Sequence, residues 1–187
     1  AQGLLAFRAG HRPDMESSSG FEAVDWSHTY AYAVGLGGIY LNLRGREAGG
    51  ILQEGSEAER VRNAIETKLP TVVDPLRQEV AVASVSRREN LYSGAYSSEA
   101  PDLLVNFSSG FRVSWASAMG GFAAALFADN QRLWSGDHLV DPAAVPGIFF
   151  MNRPCRRDLV RMVDGAATIL SFLNVPQHSA MEGVSLL

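Results

Sequence analysis

The hydrophobic pattern of this chain changes character several times along its length. Leu4 to Phe7 is a short apolar run that predicts a strand, and Ala9 to Gly20 is polar and reads as a loop, with Pro13 and Ser17-Ser18-Ser19-Gly20. Residues 29–34 and 38–43 are rich in β-forming side chains and are separated by a Gly-rich turn, which predicts two adjacent strands. Val61, Ala64, Ile65 and Leu69 recur at helical spacing. They predict a helix over 56–69, opened by a capping box of Ser56 with Glu59 and ended by Pro70. Val80 to Val85 predicts a strand, Arg87 to Asn90 a solvated stretch, and Leu103 to Phe107 a strand of the fully buried kind. Phe111 to Trp115 and residues 147–151 predict two further strands, and Ala116 to Asp129, broken by Gly120-Gly121, reads as irregular. Asp158 to Asn174 predicts the clearest helix, with Val160, Val163, Ala167, Leu170 and Leu173 as one apolar stripe. Asn174 and Pro176 end it, and the tail, Met181 to Leu186, reads as an extended surface segment.

Strands alternating with two helices, together with buried strand runs, predict an α/β fold. Region 44–110 interrupts that pattern and reads as an inserted α+β subdomain carried on the main sheet of a single domain spanning 1–187. A chain of 187 residues is long enough to build a proper core. At 47% hydrophobic and 19% charged, it has an ordinary globular composition.

Charge narrows the function classes. The net charge of -4 and the absence of a basic stripe interleaved with aromatics give no case for a nucleic-acid polymer as partner. No run of about 18 apolar residues is present, so no membrane-spanning helix is expected. Cys155 is the only cysteine, which rules out an intrachain disulfide and a thiolate cluster. Gly3 to Phe7 looks more like the middle of a fold than a start, which suggests a piece of something larger.

The densest group of chemically capable side chains is Trp134-Ser135-Gly136-Asp137-His138-Leu139-Val140-Asp141, followed at once by the apolar run Pro146 to Met151. A loop of ligand-type side chains beside a buried strand is a common way to present a metal-binding or catalytic group. One histidine cannot make a metal site, so this loop must borrow ligands from elsewhere. Asp141 either orients the imidazole or forms an Asx turn before Pro142. Asp137 has the same two readings. His28, between Ser27 and Thr29, reads as a structural polar residue, and His11 and His178 as solvated. Arg44, Arg46 and Glu47 either face a phosphate or pair with one another. Tyr92 either stacks on a nucleoside or aryl group or packs half-buried. The Gly pairs at 37–38, 49–50 and 120–121 lack phosphate-loop spacing and read as turns.

Seven segments in order carry a resemblance. They are Asp25-Trp26-Ser27-x-Thr29-x-Ala31, Tyr40-Leu41-Asn42-Leu43-Arg44-Gly45-Arg46-Glu47, Tyr92-Ser93-Gly94, Ala100-Pro101-Asp102-Leu103-Leu104-Val105, Gly110-Phe111-Arg112-Val113-Ser114-Trp115, Trp134-Ser135-Gly136-Asp137-His138 and Val145-Pro146-Gly147-Ile148-Phe149-Phe150. Together with Val163 to Leu170 they resemble the C-terminal half of the type I phosphodiesterase/nucleotide pyrophosphatase family, in the alkaline phosphatase superfamily. The resemblance covers nearly the whole chain. It implies a partial alkaline-phosphatase-like sandwich and hydrolysis of phosphoric esters or anhydrides. In such enzymes two divalent metals, usually zinc, clamp the attacking and leaving oxygens of an in-line displacement.

The resemblance places one metal ligand in this chain, His138, in a His-x-x-Asp setting with Asp141. Asp137 and Asp141 become candidates to support it, and Tyr92 and Arg44 candidates to shape the substrate pocket. The family's Thr or Ser nucleophile, its Asp-x-x-x-His pair and its Asp-His-Gly motif have no counterpart here. The expected partner is therefore an N-terminal half of the same fold, upstream or as a separate chain, and the isolated chain is expected to be inert. Two alternatives stay open: a non-catalytic binding or assembly module derived from that fold, and a phosphatase or phosphomutase of the same superfamily.

Overall fold

A computed structural model describes residues 3–10, 20–123, 125–134, 136–137 and 139–187. The chain divides into two compact units, Ala1–Val145 and Pro146–Leu187. It is a mixed α/β structure built on a small four-stranded antiparallel sheet with a few helices.

In the first unit, β1 (Ala31–Val34) and β2 (Gly38–Leu41) form the hairpin expected from their β-forming residues, in the register Tyr32↔Tyr40 and Ala31↔Leu41. The turn between them uses Gly35 at φ 76° and Gly37 at φ 119°, conformations that exclude ordinary side chains. Because side chains alternate along a strand, one face of the hairpin carries the stacked Tyr32 and Tyr40 rings, 5.5 Å apart. The other face puts Ala31 and Leu41 into the core. β4 (Leu103–Phe107) pairs with β2 on one side and with β3 (Val82–Arg87) on the other, giving the order β1-β2-β4-β3. Strands from region 44–110 thus share one sheet with the hairpin. The apolar run of β4 takes an inner position, and Leu103 is fully buried.

Helix α1 (Ser56–Lys68) lays Ala58, Val61, Ile65 and Leu69 against Leu41, Leu43, Leu52 and Leu103. Its start differs from the expected capping box. Gly55 is the N-cap residue, and Glu57 reaches back to the Gln53 amide. Glu59 is drawn away by two guanidiniums, those of Arg62 and Arg87, at 2.7 and 2.9 Å. Arg87 is correspondingly not part of a solvated stretch. It bridges Glu59, Glu66 and Asn63 and so pins β3 to α1, while Arg88–Leu91 forms a short helix, α2.

Three other expectations change. Leu4 to Phe7 contributes a single bridge, Phe7 to Val24, in place of a strand. Phe111 to Trp115 has no strand partner; its end turns into a four-residue helix, α3 (Trp115–Ala118), capped by Ser114. Residues 147–151 are extended without pairing, and Ile148 and Phe150 are more than four-fifths exposed.

In the second unit, α4 (Met162–Phe172) starts four residues later than its periodicity predicts. Buried Asp164 accepts from the Arg161 amide and fixes the start, and Asn174 at φ 56° follows the end. The tail, expected as an extended surface segment, is instead clasped to α4, with Gly183 and Leu186 buried. Asp164 accepts from the Val184 amide at 2.9 Å, Thr168 accepts from the Leu186 amide at 3.1 Å, and Leu186 is fully buried. The expected apolar stripe is only partly covered: Ala167 is buried, but Val163 and Leu173 are exposed, as are Ile169 and Phe172.

All three tryptophans, Trp26, Trp115 and Trp134, lie in the first unit, so their fluorescence reports its unfolding. Leu103→Ala is expected to cost about 2–5 kcal/mol in urea titrations followed this way, as a cavity in a packed core does. Gly50→Ala is expected to be at least as damaging, because a Cβ there overlaps the Leu43 carbonyl. A cost below about 0.5 kcal/mol for either would contradict this packing.

Candidate functional site

The loop flagged by the sequence lies in the first unit, and its described residues have no regular secondary structure. Ser135 and His138 lie outside the described residues. Asp137 turns one carboxylate oxygen to the Leu139 amide at 3.2 Å and the other to the Arg112 guanidinium at 3.7 Å. Arg112 itself lies over the Trp115 ring, 5.3 Å from its centre. Asp141 accepts from the Ala143 amide at 2.9 Å, and its carbonyl accepts from Ala144. That is the Asx-turn geometry of an Asp ahead of Pro142. Both carboxylates therefore shape the loop through local hydrogen bonds.

Among the described residues no three His, Cys, Asp or Glu side chains come together to hold a metal ion.

The pocket candidates fall in separate places. Arg44 donates through Nε to the Ile51 carbonyl at 2.9 Å. Tyr92 is two-fifths exposed at the end of α2. A cleft of about 390 Å³ in the first unit is lined by Tyr32, Tyr40, Arg46, Glu47, Ser98 and Glu99. Three of its polar side chains, Tyr32, Glu47 and Arg46, are bound to one another. The Tyr32 hydroxyl donates to Glu47 at 3.3 Å, Glu47 accepts from the Leu43 amide at 2.8 Å, and Arg46 Nε donates to Glu47 at 2.7 Å. Burial first, and then the Glu47 charge, pushes the Tyr32 phenol up to about 12, so it stays a donor.

Beneath the cleft sits the residue that sequence reasoning missed. Asp102 is fully buried at the start of β4. It accepts a bidentate pair from Arg46 at 2.6 and 3.0 Å and the Leu41 amide at 2.8 Å, with Arg62 and Arg88 each at 3.5 Å. The expected pairing of Arg46 with Glu47 is present, but its centre is this third carboxylate. The available signal was an Asp set between Pro101 and the apolar Leu103-Leu104-Val105 that opens β4, a position where a carboxylate needs a partner. Burial alone would raise the Asp102 pKa; the Arg46 hydrogen bonds and the Leu41 amide outweigh it and hold the group below the usual carboxylate range.

His28 takes the structural part expected of it. Its Nδ1 lies 2.9 Å from Asp25, which also accepts from the Ser27 amide and hydroxyl at the start of a short 3-10 turn. Hydrogen bonds from Ser27 and then His28 hold the Asp25 carboxyl below its ordinary value.

No protein-family model, no curated protein and no solved structure matches this chain.

Asp102 gives a signed pH dependence. Its folded-state value lies below the unfolded value of about 3.9, so its contribution is fully present above about pH 4 and is lost as pH falls through the folded value. Asp102→Asn is expected to flatten the stability profile in that acid range. Asp102→Ala is expected to cost about 3–5 kcal/mol at pH 7 by stranding the arginines. Urea midpoints read by tryptophan fluorescence from pH 2.5 to 7 check both; identical acid slopes for the parent and Asp102→Asn would contradict the assignment.

Proposed function

We propose that this chain is the C-terminal part of a metal-dependent phosphodiesterase or nucleotide pyrophosphatase of the alkaline phosphatase superfamily, folded as part of that family's sandwich. Its contribution to the metal centre is the His138 imidazole, a good zinc ligand when neutral. The nucleophile and the other metal ligands come from residues outside this sequence. When bound, the two metals supply Lewis-acid stabilisation of the phosphoryl oxygens and activation of a hydroxyl nucleophile.

The ordered set of family-like segments supplies the chemistry of this reading. The observation that carries the need for a second half is where the apolar surface remains exposed. Leu133, Trp134, Ile148 and Phe150, together with Met162 and Ile169 of α4, are all more than three-fifths exposed. They flank the late-histidine loop or follow it in sequence, and two of them fall in a segment whose pattern predicts a buried strand. Extended apolar segments without partners are what remains of a sheet when its neighbouring strands are supplied from elsewhere.

The test is to express this chain with the residues encoded upstream of Ala1 and to measure zinc content and hydrolysis of bis(4-nitrophenyl) phosphate. Zinc-dependent turnover is expected. His138→Ala is expected to lower it by more than the roughly 10–100-fold typical of losing a residue that only supports a ligand. Unchanged turnover in His138→Ala, or no zinc-dependent hydrolysis at all, would refute the reading.

A further inference from the structure

The cleft beside the β1–β2 hairpin has a lopsided chemistry. Its strongest donors are spent inside the protein. Arg46 gives Nε to Glu47, one terminal nitrogen to Asp102, and the other to Asp102 and the Leu41 carbonyl. The Tyr32 hydroxyl donates to Glu47. Acceptors are left over. Glu99 is exposed at the end of the 3-10 turn Ser97–Glu99. Among the described residues its carboxylate has no partner, and neither have the Tyr40 and Ser98 hydroxyls.

Charge points the same way. Of the charged residues lining the cleft, Arg46 is bound by both Glu47 and the Asp102 beneath, which leaves the Glu99 carboxylate in excess. The aromatic lining adds to this. Tyr32 and Tyr40 stack at 5.5 Å, and the Arg46 guanidinium already lies 5.9 Å from the centre of the Tyr40 ring. Tyrosine rings attract cations through their quadrupole, and a cationic N–H pairs strongly with a carboxylate. An anion would find no uncommitted guanidinium here.

We propose that this cleft binds an organic cation bearing N–H donors, a guanidinium or a primary ammonium, with Glu99 as its counter-ion and the tyrosine pair as its bed. A volume of about 390 Å³ falls in the ordinary range for a small-molecule site. The proposal is independent of the phosphodiesterase reading, since it uses none of the residues on which that reading rests.

The test is titration of the 187-residue chain with agmatine, which carries both cationic groups, followed by the tyrosine ring signals in NMR spectra and by calorimetry. Saturable shifts of the Tyr32 and Tyr40 rings are expected, with a Kd on the order of 1 mM that weakens as salt rises. Glu99→Gln is expected to weaken binding by about 10-fold, with the melting temperature unchanged because the residue is exposed. Tetramethylammonium, a cation without N–H, is expected to bind at least about 5-fold more weakly, and acetate not at all. A second arm uses an acetyl-Gly-Arg-Gly-amide peptide. If it matches agmatine, the cleft takes an arginine side chain of a polypeptide; if it binds much more weakly, a free small cation; either result supports the cation site. Equal agmatine affinity in the parent and Glu99→Gln overturns the proposal, as does the lack of any saturable shift up to about 20 mM agmatine. Saturation by acetate, or tetramethylammonium binding as tightly as agmatine, overturns it as well.

Discussion

The first unit depends on the Asp102 carboxylate more than on any other single group. It sits where β4 enters the core and gathers Arg46 from the turn after β2, Arg62 from α1 and Arg88 from α2. It also occupies the Leu41 amide of β2. Three regions well separated in sequence, β2 with its following turn, α1 and α2, are thereby referred to one point. Glu47 and Glu59 complete the network by pairing with Arg46 and Arg62, so the charges nearly balance. A lone buried carboxylate would be neutralised by protonation or expelled; here the opposing guanidiniums make the ionised form the stable one. The packing of α1 on the sheet and the seating of the 98–101 loop, whose Ser98 and Ala100 carbonyls accept from Arg88, both follow from it.

Local pattern made much of this unit legible. The hairpin, α1, β3 and β4 follow from β-formers, a Gly turn and a 3.6-residue repeat, and each buries the face its pattern marks. The Asp102 network was not legible in the same way, because its members are separated by up to 56 positions and no periodicity links an acid to its distant bases. The Arg46 and Glu47 neighbours were readable as a pair since they adjoin in sequence. The third partner was a matter of topology. The misplaced capping box at Ser56 has the same origin: Glu59 satisfies the sequence rule, but tertiary guanidiniums outcompete a backbone amide for it.

The opposite failure affects Phe111 to Trp115 and residues 147–151. Their composition suits a strand, and a strand requires a neighbour with free backbone groups to pair with. Among the described residues none pairs with them, so the same residues stay unpaired or turn into a single helical step. Of the candidate site, the loop and its two carboxylates were readable from the clustering of residue types. The use of Arg112 was not, because a residue expected in a strand gives no hint that it will face a loop.

The aspartates of this chain share one habit that bears on its chemistry. Asp25, Asp74, Asp102, Asp137, Asp141 and Asp164 each accept a hydrogen bond from a backbone amide. The short Asp side chain suits that task, since it reaches amides one to three residues away and competes with regular structure for them. In Asp164 the Val184 amide, then the Arg161 amide, hold the carboxyl below its usual range even though it is buried. A carboxylate so committed is a poor general base and gives up hydrogen bonds if it turns to bind a metal. Asp137 and Asp141 spend a carboxylate oxygen in the same way, each on the amide two residues further on, and so shape the 137–141 loop.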